Sequence, residues 1–167
     1  MITVASRLST LTLAALLGGG ASNALAESPV DFINEASAQG MADIETSRMA
    51  HQKTESKAIK DYTIVVINDR TTANQHLAKI ARKLDLPVAS REEVMSKAKA
   101  LIPHIQDGES FDSAYTASQV KTTEHTIEHL QQEASTTDVP EIKAFVEETL
   151  PRLEHHLELA RALRANR

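Results

Sequence analysis

Residues 62–77 read YTIVVINDRTTANQHL, and the spacing of their apolar side chains decides the architecture. Tyr62, Val66, Ala73 and Leu77 follow one another at intervals of four or seven. At about 100° per residue these intervals place them on one face of a helix, whereas a strand would alternate its faces. The stripe extends back to Ile59 and forward to Ile80 and Leu84, so the spacing predicts a helix from about Ser56 to Leu84. Asp69 projects toward the same side. A carboxylate facing the core must find a partner or take up a proton, because burying a lone charge is costly.

Outward from this segment, glycine and proline are scarce and act as punctuation. Pro29, Pro87, Pro103, Pro140 and Pro151 divide the chain into segments rich in Ala, Glu, Lys, Gln and Leu, which are helix formers. The first long helix is expected at about 29–54, with Phe32, Ile33, Ala36, Gly40, Ile44 and Ser47 inward and with Gly40 and Ser47 leaving room for a neighbouring backbone. After the helix at 56–84, Ser90 and Glu93 have the spacing of a capping box and open a shorter helix of about 91–106, kinked by Pro103. Asp107-Gly108 reads as a turn. A third long helix follows at about 110–135, with Phe111, Tyr115, Val120, Ile127, Leu130 and Ala134 inward, and a fourth at about 140–164, with Ile142, Phe145, Val146, Leu153, Leu157 and Ala160 inward and a bend at Pro151. The fold class is all-α. Four long amphipathic helices with a short connecting helix between the second and third imply a four-helix bundle.

Residues 1–26 read as a secretory leader. Arg7 provides a positive start, LSTLTLAALL at 8–17 is a short apolar run, and Ala24-Leu25-Ala26 has the small-x-small cleavage pattern. The run is far short of the roughly 20 residues that a spanning helix requires. Residues 27–167 are then expected to form a single domain in the periplasm or outside the cell, with no membrane span. The chain has no cysteine, hence neither a disulfide nor a lipid-attachment thiol. Its formal charge is -5 at pH 7, which argues against a nucleic-acid partner. Trp is absent and aromatics make up 3% of the residues, too few for a stacking platform.

Histidines and carboxylates carry whatever site signal there is. His51 and His156 project inward, as do Asp69 and Asp112, with Asp43 at the edge of the first helix's inner face. The available partners for the carboxylates are Arg70, His51, His156, Tyr62 and Tyr115. One reading is a buried polar network that fixes helix register, with Arg70 or His156 satisfying Asp69. The other is a divalent metal site for iron, copper or zinc, formed by Asp69, Asp112, His51 and His156. His125 and His129, one turn apart, are a second, surface candidate for a metal. His155 points away from the core. No glutamate stands three residues before a histidine, and there is neither a cysteine nucleophile, a glycine-rich phosphate loop nor a Gly-x-Ser-x-Gly elbow. No catalytic residue and no cofactor are assigned.

FINEASAQGMADIETSRMA at 32–50, INDRTTANQHLAKIARKLDLP at 67–87, GESFDSAYTASQV at 108–120 and IKAFVEETLPRLEHHLELA at 142–160 resemble a family of exported bacterial proteins of unknown function, often labelled outer-membrane proteins. The resemblance implies a ferritin-like four-helix bundle. Where relatives carry Asp-His-Thr, this chain has Asp69-Arg70-Thr71, and where they carry a histidine after Gln-Val, it has Thr123. The histidine of the Leu-Pro-x-Leu motif is matched by His156. The resemblance therefore implies that two inward histidines are replaced here. Together these features lead to the expectation of an exported, non-enzymatic bundle, an envelope stress or protein-interaction module whose partner is another envelope protein. Periplasmic metal storage or sensing is the alternative.

Overall fold

The computed structural model describes residues 27–105 and 111–165. The leader and the Asp107-Gly108 turn expected from the sequence lie outside the described residues. Five helices and no strand occur among them: α1 (Pro29–Lys53), α2 (Lys57–Lys83), α3 (Arg91–Leu101), α4 (Phe111–Thr136) and α5 (Pro140–Ala165). α1 packs along α2 and α4 along α5, the two pairs meet mainly through α2 and α5, and α3 lies on α1.

Local chemistry explains each boundary. Ser28 caps α1 by accepting a hydrogen bond from the Asp31 N–H, and Pro29 occupies the first turn, where its missing donor costs nothing. Ser56 caps α2 in the same way. α2 ends before Pro87 comes into play. Asp85 takes a left-handed conformation, with φ 51°, and the Leu86 N–H returns to the Ala81 carbonyl at 2.9 Å, as in a Schellman closure. The predicted capping box of α3 is present, with Ser90 N–H to Glu93 Oε2 at 2.8 Å and Glu93 N–H to Ser90 Oγ at 3.3 Å. Pro103 ends α3 rather than kinking it: Ile102, next to the proline, is extended, and the helix stops at Leu101. In α5 Pro151 is accommodated inside the helix. It deprives the Glu147 carbonyl of its donor, but positions 147 and 151 are both exposed, so water can take the donor's place.

Gly40 has a different purpose from the one its size suggested. The space above it is taken by the Asn74 side chain rather than by a neighbouring backbone, and a Cβ at position 40 would collide with Asn74 Oδ1. The Asn74 amide donates to the Ser37 carbonyl at 3.1 Å, tying α2 to α1.

The apolar interior falls into two parts. One gathers Phe32, Leu77, Ile80, Leu130, Ile142, Phe145 and Leu153. The other gathers Ala50, Ile59, Tyr62, Val66, Phe111, Tyr115 and Ala160. Between or beside these clusters each long helix also buries polar residues: Asp43 and Ser47 on α1, Arg70 on α2, Gln119 and Thr123 on α4, and Thr149 and His156 on α5. A polar belt thus crosses the middle of the molecule.

Candidate functional site

Threonine is the least demanding member of this belt. Thr46, Thr116, Thr126 and Thr149 return their hydroxyl hydrogens to carbonyls four residues back, at 2.6 to 2.9 Å, so each is satisfied within its own helix. The charged residues need longer reach. Arg70 Nη2 lies 2.6 Å from Asp43 Oδ2, and the two side chains are 8% and 7% exposed. Gln39 Nε2 donates to the other Asp43 oxygen at 3.0 Å. The Arg70 Nε–H is buried without a hydrogen-bond partner among the described residues. Arg70 borders a cavity of about 30 Å³ lined also by Gln39, Gly40, Asn74 and Thr149, room for roughly one or two waters.

Of the two partners expected for Asp69, Arg70 does not pair with it and His156 does. On a helix whose stripe centres on Val66, residue 70 lies about 40° from the centre and residue 69 about 60° away on the other side. Arg70 therefore enters the core toward α1, while Asp69 remains 30% exposed at the seam with α5. There it accepts from His156 Nε2 at 2.8 Å and from Arg152 at 3.4 Å. His156 is buried, and burial holds its imidazole below the usual range despite the Asp69 hydrogen bond. A carboxylate only accepts, so the neutral ring carries its proton on Nε2. Arg152 also reaches Glu148 at 3.4 Å, and His76 lies 3.4 Å from the same glutamate. The cleft between these residues has a volume of about 20 Å³, again no more than water-sized.

Two phenols complete the belt. Tyr62 OH donates to Gln119 Oε1 at 3.3 Å, and Tyr115 OH shares a 3.1 Å hydrogen bond with Ser47 Oγ. Their rings meet edge to face at 6.3 Å, with the His156 ring 6.5 Å from Tyr62. Burial pushes both phenols far above the ordinary tyrosine range, reinforced at each by the nearby Asp43 carboxylate. Both remain neutral hydroxyls.

Of the four inward metal candidates, the structure brings Asp69 and His156 together. His51 is turned instead to Thr63, with Nδ1 2.9 Å from an Oγ1 whose own hydrogen goes to the Lys60 carbonyl. Nδ1 is therefore the donor. Asp112 is half-buried in the first turn of α4. His125 is exposed, whereas His129 is engaged through Nε2 with Glu27 at 2.9 Å and packs against Phe32. No group of three His, Cys, Asp or Glu among the described residues is placed to hold a metal ion. No described helix is long and apolar enough to cross a membrane.

The spacing argument counted Asp43 among the carboxylates and Arg70 among their partners but directed Arg70 to Asp69, and it passed over Gln39 and Gln119. Gln39 and Asp43 stand one turn apart on the inner side of α1, an inward polar pair that the apolar spacing alone passes over. Comparison with curated proteins and with solved structures returned no match. One family model does match, over residues 14–163, nearly the whole chain. The chain belongs to that family, DUF4142, a domain of unknown function.

Proposed function

We propose that this protein is an exported, non-enzymatic, ferritin-like four-helix bundle of the periplasm or cell exterior, released by removal of residues 1–26. α1, α2, α4 and α5 are the four helices and α3 the connector. Its interior polar residues serve architecture, and its work as an envelope interaction module is done from its surface. The observation that supports this reading is that the polar belt is spent on itself. Arg70 is taken by Asp43, Tyr62 by Gln119, Tyr115 by Ser47 and His156 by Asp69. What space is left beside Arg70 and beside Asp69 is water-sized.

Metal analysis of protein purified from the periplasm without chelator or affinity tag, with melting followed before and after addition of iron, copper and zinc, tests the interior. Substoichiometric metal and an unchanged melt are expected. One equivalent of metal per chain with a raised melting temperature would replace this reading with metal storage or sensing, because a ligand that binds only the folded state must stabilise it.

A further inference from the structure

At the end of the molecule where α1 begins, one carboxyl group is incompletely used. Glu133 is 2% exposed. Its carboxyl receives a hydrogen bond from Thr137, but its Oε1 is buried with no hydrogen-bond partner among the described residues. Burial raises its affinity for a proton; the Glu27 carboxylate raises it further and His129 lowers it, so both are close enough to be felt. Three other acids near the start of α1 already have partners. Glu27 holds His129 at 2.9 Å, Asp31 accepts from Ser28 Oγ at 2.6 Å, and Glu35 faces Lys97 at 3.7 Å. A buried carboxylate in this setting calls for a cation that also donates hydrogen bonds.

Glu27 is also the residue that follows the expected cleavage site at Ala26. Before cleavage its backbone nitrogen is an amide with a single hydrogen. Afterwards it is an α-ammonium with three donors and a positive charge, protonated at neutral pH given a usual pKa of about 7.7 to 8.0. The Glu27 side chain is pinned to His129, one helical turn from Glu133 on α4, so the new charge arises on the residue whose carboxylate Glu133 already feels.

We propose that the α-ammonium freed at Glu27 pairs with Glu133, so that leader removal fastens the start of α1 to the end of α4. Processing is then a conformational step as well as a release. The inference rests on the proposed removal of residues 1–26 and adds a consequence to it.

The test compares three chains: one starting at Glu27, released scarlessly from a fusion partner; one starting at Ala26; and one starting at an N-acetylated Glu27. The Glu27 chain is expected to melt about 3 °C or more above the other two. Glu133→Gln should abolish the difference, lowering the melt of the Glu27 chain while leaving the acetylated chain unchanged or more stable. Equal melting of all three chains, or a gap that persists in the Glu133→Gln background, would overturn the pair. The N-terminal mass of protein recovered from the periplasm tests the underlying reading separately. Glu27 with a free amine is expected; a different first residue would overturn cleavage at Ala26 and with it the processing step, whatever the melts show.

Discussion

At the scale of single residues, Arg70 and Asp69 are neighbours in sequence with opposite environments. Arg70 forms a buried ion pair, and removing one member of such a pair leaves the other charge uncompensated. Asp43→Ala should therefore cost about 3 to 5 kcal/mol, read as a lowered urea midpoint. Asp69→Ala leaves a neutral His156 N–H unmatched, beside a cleft that water reaches, while the exposed Arg152 keeps Glu148, and it should cost about 1 to 3 kcal/mol. The reverse ranking would show that the register of α2 is misassigned. His156 also sets a pH dependence. Its folded-state pKa is depressed, so below the ordinary histidine value of about 6.5 the unfolded chain binds a proton that the folded chain refuses. That contribution is fully present above about pH 6.5 and is lost as the pH falls through the histidine range. His156→Gln, which keeps an N–H donor, should lose less stability than the parent between about pH 7.5 and 5.5 in urea titrations.

At the scale of elements, the helices were legible in the sequence because their apolar spacing, caps and prolines all agree. α1, α2, α4 and α5 lie within a residue or two of their expected limits. The error was in α3, where Pro103 proved to be a stop, because the residue before a proline is driven out of the helical region and Ile102 is extended. The end of α2 depended on Asp85 adopting positive φ, which a proline two residues later does not reveal. Glycine adopts that conformation without a Cβ penalty, so Asp85→Gly should stabilise by about 0.5 to 1 kcal/mol in urea denaturation. Gly40 and Asn74 invite a double-mutant cycle. In the parent, Gly40→Ala should be neutral or harmful, because the gain in helix propensity is offset by displacement of the Asn74 amide from the Ser37 carbonyl. In an Asn74→Ala background the same change should stabilise by about 1 kcal/mol, as expected for an unobstructed helix position. Additive melts would show that Gly40 and Asn74 do not touch.

At the scale of the whole molecule, the sequence disclosed that polar residues face inward but not which would meet. Projection around one helix ranks residues by direction. It carries no information on the height at which a second helix supplies a partner, and that is why Asp43, Gln39 and Gln119 were not matched to Arg70 and Tyr62. The candidate metal ligands are not gathered, for the same reason: His51 and His156 both point inward but are turned to different neighbours. Because Arg70 and Asp43 compensate each other, replacing both by Met and Leu should cost far less than Asp43→Ala alone and could even stabilise, by up to about 4 kcal/mol. A double variant as unstable as the single one would show that the belt contributes more than charge matching.

The division of the interior into two apolar halves bears on how the chain finds its fold. Helices packed only through aliphatic side chains can slide by a turn, about 5.4 Å, and still bury similar area. Here a slip of α2 along α1 would draw Arg70 away from Asp43 into one of the hydrocarbon halves, stranding two charges at once. Near-miss alignments are thereby made expensive, and the salt bridge acts as a proofreading step during assembly.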